Sequence, residues 1–466
     1  MDNRKKTGIQ TLRQDTGRHK VDMDMVNGPL LGKLIRFSIP VMLSGLLQLL
    51  FNAADIVVVG RYTGSDALAA VGASGPITSL IVTLFMGLSV GANVLAAQAI
   101  GRADMKDLED TVHTSVASSV FLGAILSMIG IVIAKPLLHL IKTPDNILPL
   151  AHRYLWIYFL AMPASLLYNF GAAILRAAGN TQKPLYYLAI SGATNVILNL
   201  FFVLALKMGV SGVALATTLS QYLAAGMVTL DMLRTDAAYK LIPSKLAIHQ
   251  DKLIRMFRFG IPAGLQGSAF SIANLLIQSS INSFGPAVMA ATTAAWNIDG
   301  FCNVAIDAFA QAAISFTGQN YGAGKYDRID KVLAICLAVG CGMGMAAAIV
   351  VIIFSPQLLS IYTKDAEVIE HGRRILFIVA TTQFINCTMN VPFNVERGMG
   401  YSVFPMVAAI LSICVFRVIW IYTIFQAIPT VTVLFLSYPV TKGLASVVAL
   451  VFYFHVRKKL RAQQAA

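Results

Sequence analysis

Twelve apolar runs follow one another between residues 37 and 456, and no other feature limits the fold of this chain so severely. They fall near 37–60, 69–97, 112–134, 154–175, 185–206, 209–233, 259–283, 287–317, 332–354, 375–395, 403–428 and 431–456. A helix needs about 20 apolar residues to cross a hydrocarbon layer roughly 30 Å thick. Within lipid, every backbone N–H and C=O must be satisfied inside the segment, which a helix achieves. The sequence therefore predicts an all-α integral membrane protein with twelve transmembrane helices. Composition agrees, since 57% of the residues are hydrophobic, 12% are charged and the mean hydropathy is +0.70. Soluble globular chains do not reach those values.

The formal charge of +14 would suit nucleic acid, but its distribution does not. With both termini cytoplasmic, 26 of the 36 Lys and Arg fall on the inner side, including Arg4 to Arg36, Arg102, Lys106, the group from Arg234 to Arg258, and Arg457 to Arg461. The outer loops hold only Arg61, Lys135, Lys142, Lys207 and Lys364. This is the bias that orients helices during insertion. It predicts a multi-pass membrane protein with N- and C-termini cytoplasmic, the lipid bilayer as its setting and no nucleic-acid partner. Residues 1–30 lack the apolar core of a signal peptide and read as a cytoplasmic tail. The cysteines Cys302, Cys336, Cys341, Cys387 and Cys414 show no metal-ligand spacing and read as small buried apolar residues, so neither a metal nor a cofactor is expected.

The two halves of the chain repeat each other. "RFSIP" at 36–40 returns as "RFGIP" at 258–262, and "QAIG" at 98–101 returns as "QNYG" at 319–322. "TPD" at 143–145 matches "TKD" at 363–365, while Arg176, Gly179 and Pro184 match Arg397, Gly400 and Pro405. A constant offset over several helices implies duplication. Two six-helix lobes are expected, one over 31–233 and one over 253–457, with a cytoplasmic connector at 234–252 and a tail at 458–466. An even number of spans per half keeps the repeats parallel, an architecture of secondary transporters that rock two lobes around a central cavity.

Only three acids, Asp55, Asp299 and Asp307, lie well inside the predicted spans. A carboxylate in a membrane costs a few kcal/mol, so such groups face a cavity and mark function. Ser44, Gln48, Asn52 and Asp55 are spaced by four, four and three and share one helix face. The pairs Asn195 with Asn199 and Thr217 with Gln221 repeat that spacing, as do Asp299, Asn303, Asp307 and Gln311, and Thr382, Asn386, Asn390 and Asn394. Asn169 and Gln383 join the candidate cavity. The plainer reading, that amides and hydroxyls glue helices together, suits a single Asn or Thr. It suits the lone acid of the first half less well.

The stretches "FNAADIVVVGRYTGSDALAAVG" at 51–72, "LRAAGNTQKP" at 175–184, "GVSGVALAT" at 209–217 and "GQNYGAGKYDRI" at 318–329 resemble the multidrug and toxic compound extrusion (MATE) family, closest to its bacterial DinF-type subgroup. The resemblance covers residues 30–457 and implies a cation-coupled antiporter that exports organic cations and drugs in exchange for protons or sodium. It places the coupling acid of the first helix at Asp55, its polar partners at Asn195 and Thr217, a helix bend at Pro40 and a cavity-lining position at Gln48. Archaeal relatives carry a second acid where this chain has Asn199, which favours one proton over a two-carboxylate sodium site. Protonation would remove the charge that pairs with an organic cation, so proton and drug would compete for one group. Asp299 and Asp307 remain as a possible second site in the other lobe.

Rival classes find less support. "GQNYGAGKY" lacks the first Gly and the Ser or Thr of a phosphate loop, and neither HExxH nor a paired-acid constellation points to an enzyme. A lipid-linked oligosaccharide flippase, or an exporter of small metabolites, shares the scaffold; the flippase would favour a more cationic interior than Arg417 and Lys442 provide. A monomer is expected.

Overall fold

The computed structural model describes residues 21–141 and 143–465, so the predicted tail up to residue 20, and Lys142, lie outside the described residues. The first lobe comprises α1 (Leu30–Tyr62), α2 (Ser65–Gly101), α3 (Met105–Leu140), α4 (Leu148–Phe159), α5 (Met162–Ala177), α6 (Gln182–Leu200) and α7 (Val210–Arg234). The second comprises α8 (Gln250–Asn282), α9 (Pro286–Gly322), α10 (Tyr326–Ile353), the short α11 (Ser355–Ser360), α12 (Ala366–Thr381) and α13 (Gln383–Gly398). It closes with α14 (Val403–Ala409), α15 (Phe416–Tyr422), α16 (Ile424–Ala427) and α17 (Val431–Ala465). One π-helical turn, Phe201–Ala205, extends α6, and another, Ile410–Val415, joins α14 to α15. Among the described residues there is no strand.

Nine helices are long and apolar enough to cross a membrane among the described residues, and two bent pairs bring the number to 11. The pairs are α4 with α5, bent by 47°, and α12 with α13, bent by 41°. The sequence treats each as one run; the first break falls just before Pro163, which has no N–H to continue the preceding helix. The remaining run of the twelve is α9, whose 37 residues reach about 55 Å at 1.5 Å per residue. Its stripe of Asp299, Asn303, Asp307 and Gln311 lowers its hydropathy while its other faces pack in the bundle. The protein is thus an all-α membrane fold of two six-span lobes. The repeat extends to backbone conformation: Gly179 at φ +92° and Gly400 at φ +96° end equivalent spans in the left-handed region, where only glycine sits without strain.

The lobes are sealed at the end that carries the described termini. Helix α2 lies against α8 so closely that a methyl group at Gly87 would overlap the backbone of Gly264, and one at Gly91 the carbonyl of Met256. Further along, a methyl at Gly101 would strike the Gln319 carbonyl and one at Gly322 the Gln98 carbonyl. Small residues allow this approach, and backbone-to-backbone packing is the attraction available to helices in lipid. Polar groups complete the seal. Gln98 Nε2 donates to the Gly398 carbonyl at 3.0 Å, and Gln319 Nε2 to the Ala177 carbonyl at 2.7 Å. Ser315 donates to Asn93 Oδ1 at 3.2 Å, a bond between positions 222 apart, the repeat offset itself.

A strap over residues 21–28 crosses this sealed end. Met23 N donates to the Ala178 carbonyl at 3.2 Å in the first lobe. Asn320 Nδ2 donates to the Met25 carbonyl at 3.1 Å and Arg328 Nη2 to the Gly28 carbonyl at 3.1 Å in the second. Met25 is fully buried in the core of the second lobe. Tyr239, in the segment between the lobes, donates to Asp22 Oδ2 at 2.9 Å. Burial, with the Asp22 carboxylate beside it, pushes the Tyr239 phenol above the ordinary tyrosine range, which keeps it a donor.

Candidate functional site

The polar stripe of α1 opens onto a cavity of about 320 Å³ inside the first lobe. Gln48, Asn52 and Asp55 form one wall, Asn169 of α5 another, and Asn195 and Thr217 of α6 and α7 a third. Ser44 turns elsewhere, donating to the Pro40 carbonyl at 2.8 Å. Pro40 lies inside a continuous α1, where the missing N–H frees a carbonyl one turn earlier. Gly192 lets α6 close on α1, since a methyl group there would overlap the ring of Phe51.

Asp55 is held by amides. Asn199 Nδ2 donates to its Oδ1 at 2.5 Å. The orientation of Asn195 that satisfies both ends of its amide aims Nδ2 at the same oxygen at 2.8 Å, while its Oδ1 accepts from Thr217 N at 3.3 Å. Two neutral donors and no cation therefore stabilise this half-buried carboxyl, an arrangement that leaves its charge free for a proton or a bound cation to neutralise. Asn199 is fully buried behind it and does not line the cavity. Tyr154 lies within electrostatic reach of Asp55 and stacks on Tyr158, a wall residue, with centroids 6.0 Å apart.

The second-lobe candidates form a separate cluster. Gln383 Nε2 donates to Asp299 Oδ1 at 2.5 Å and Asn303 Nδ2 to Asp299 Oδ2 at 2.8 Å. Asn386 Nδ2 donates to Asn303 Oδ1 at 2.6 Å, so α9 and α13 are laced by amides around one acid. Asp307 is exposed, and Lys442 of α17 feels the charges of both Asp299 and Asp307. Arg417 lies 4.2 Å over the Tyr438 ring. Among the described residues no group of three His, Cys, Asp or Glu stands together as a metal site.

Two features escaped the sequence reading. Tyr154 and Tyr158 carry no charge and no polar periodicity, so an aromatic wall beside Asp55 looked like plain apolar span. Glu396 lies one residue past the apolar run that ends at 395, yet α13 continues to Gly398 and buries it fully, with neither carboxyl oxygen hydrogen-bonded among the described residues. The adjacent charge pair "ER" at 396–397 was the available signal.

Fold and cavity together define a two-lobed membrane transporter scaffold with an acid-centred pocket in one lobe. The family model MatE matches residues 40–201 and again 262–423, two segments offset by 222 residues, and the chain belongs to that family. It is 27% identical over 385 residues to "Probable multidrug resistance protein YoeA" of Bacillus subtilis, spanning 81% of this chain and 83% of the relative. "Probable multidrug resistance protein YpnP" of Bacillus subtilis is also 27% identical, over 84% of this chain and 88% of the relative. A solved structure described as "Outward-facing conformation of a multidrug resistance MATE family transporter of the MOP superfamily" superposes with a TM-score of 0.89 at 22% identity, covering 95% of this chain and 99% of that one.

Proposed function

We propose that this protein is a proton-coupled antiporter of a bacterial plasma membrane, its termini cytoplasmic, exporting amphipathic organic cations by alternating access. The observation that carries the reading is the Asp55 carboxyl, held by Asn195 and Asn199 with no basic partner beside it, in a cavity that also offers Gln48, Asn52 and Asn169. An organic cation pairs with the charged carboxylate; a proton arriving from the opposite side neutralises it and releases the cargo. One group serving both ligands in turn is sufficient for exchange. For a monovalent cation exchanged one for one, charge balances and only the pH difference drives export, about tenfold accumulation per pH unit. The drug-resistance names of the relatives support the cargo class, and the seal at the terminal end supports a state open to the other side.

The test is ethidium transport by energised inverted vesicles, with pH and sodium gradients imposed separately, for the native protein and Asp55→Asn at equal expression. A pH gradient alone should drive transport, and the substitution should abolish it. Transport persisting in the variant would remove Asp55 from the mechanism. A second reading, export of a small metabolite bearing an anionic group, is favoured by Lys442 and Arg417 in the second lobe. It predicts that an anionic cargo moves in the same vesicles and that Lys442→Gln stops it.

A further inference from the structure

Away from the Asp55 cavity, a groove of about 750 Å³ lies between α3 and α4, at the end of the first lobe opposite the termini. Its basic lining is Lys135, His152 and Arg153, and its apolar lining includes Leu148, Trp156 and Ile157. No acid lines it, and none of the three basic side chains has an ion-pair or hydrogen-bond partner among the described residues. The neighbouring faces of α3 are strongly exposed and apolar, with Val132 at 74% and Leu140 at 76%, as expected of a surface in contact with lipid.

The repeat supplies an internal comparison. The equivalent groove of the second lobe, about 430 Å³, is lined by Glu370, Arg373 and Arg374. Glu370 stands 222 residues after Leu148, and Arg374 222 after His152. There Arg374 Nε donates to Glu370 Oε1 at 3.0 Å, and Arg373 lies 3.8 Å from the same carboxylate. The second lobe thus sets one carboxylate against its two arginines, whereas the first lobe has a leucine in place of that acid and, among the described residues, no counter-charge for Lys135 and Arg153.

We propose that the first-lobe groove is a binding site for an anionic phospholipid. The phosphate pairs with Lys135 and Arg153, with His152 beside them, and the glycerol and upper acyl chain lie along Leu148, Ile157 and Trp156. Charged donors recognise phosphate through short, strong hydrogen bonds, and an interfacial tryptophan suits the boundary between head groups and acyl chains on either side of a membrane. A free anion would gain nothing from the apolar half of the groove. The site has a route to the transport cavity, because α4 carries Arg153 and Trp156 on this face while Tyr154 and Tyr158 of the same helix adjoin Asp55 and the cavity wall.

The test uses the full chain in lipid nanodiscs, with Trp296→Phe and Trp420→Phe leaving Trp156 as the only indole. Acyl-brominated phosphatidylglycerol and acyl-brominated phosphatidylcholine are compared as quenchers. The anionic lipid should quench Trp156 at about tenfold lower mole fraction, and K135A/R153A should make the two lipids equal. A tryptophan placed instead in the second-lobe groove, by W156F with I378W, should show no preference. Equal quenching in the parent protein, or a preference that survives K135A/R153A in protein that stays monodisperse, overturns the proposal. Displacement of the brominated anionic lipid by inorganic phosphate would also overturn it, identifying a free-anion site.

Discussion

Asn199 donates its side-chain amide to Oδ1 of Asp55 at 2.5 Å, tying the fifth span to the first at the acid of the cavity. Replacing that amide by a carboxylate, Asn199→Asp, would set two acids side by side. At about 4 Å and an effective dielectric of about 20, like unit charges repel by about 4 kcal/mol, which a bound cation relieves. Sodium chloride, compared with choline chloride at about pH 8, should raise the Tm of the variant by several degrees and leave the native protein unchanged. A variant that melts identically in both salts would mean the pair is too solvated to need a counter-ion.

The seal between the lobes depends on glycines with no room for a side chain. Gly91 faces the Met256 carbonyl, so Gly91→Val keeps α2 from closing on α8 and should displace the population toward states open at the terminal end. Ser315, buried at the seam, reports this when replaced by cysteine in a cysteine-free background. A membrane-impermeant maleimide should label Ser315→Cys slowly in the parent and at least about tenfold faster with Gly91→Val, equivalent to a shift of about 1.4 kcal/mol. Unchanged protection would show that the seam tolerates separation without opening.

The strap at residues 21–28 touches both lobes and the segment between them, so an opening of the terminal end has to stretch or release it. Met25→Ala removes a fully buried side chain at a cost of about 2–5 kcal/mol. Tyr239→Phe removes the hydrogen bond to the Asp22 carboxylate, about 1.5–3 kcal/mol. Both should speed labelling of the same Ser315→Cys probe, Met25→Ala more than Tyr239→Phe. If neither changes the rate, the strap follows one lobe passively and does not restrain the other.

What could be read in the sequence follows from what local geometry dictates. The helical stripe of Gln48, Asn52 and Asp55 needs nothing beyond a period of 3.6 residues, and the paired motifs near Pro40 and Pro262 disclose the two lobes without coordinates. The bend at Thr382 carries no proline at the break, so packing sets it and the run alone hides it. Met25 is one of four apolar residues in the stretch VDMDMVNG at 21–28, and nothing local singles it out; its burial comes from packing with distant residues such as Phe316 and Val332, beside a hydrogen bond to its carbonyl from Asn320, 295 residues away. Glu396 escaped for a related reason, because a helix that outlasts its apolar run cannot be seen in hydropathy. The grouping of site residues was only half visible: stripes show which residues share a face, whereas the separation of the Asp55 cluster from the Asp299 cluster is a matter of how α1 and α9 pack.

Phe51 is a wall of the Asp55 cavity, and it stays clear of the centre because Gly192 gives its ring a place to lie. Gly192→Ala adds a methyl group inside the volume the ring occupies, so the ring must rotate inward or α6 must retreat. An inward ring takes space from a cavity of about 320 Å³. A bulky cation such as a tetraphenyl onium should then bind at least about tenfold more weakly, a loss of about 1.4 kcal/mol, while a small tetraalkylammonium is little affected. Phe51→Leu shortens the obstructing side chain and should restore binding of the bulky cation on the Gly192→Ala background, although alone it leaves affinity nearly unchanged. Non-additivity of that kind is the sign of two residues acting through one contact. Fluorescence titration of the four proteins with both cations decides it. Equal losses for small and large cations would show instead that α6 had moved and taken Asn195 and Asn199 away from Asp55.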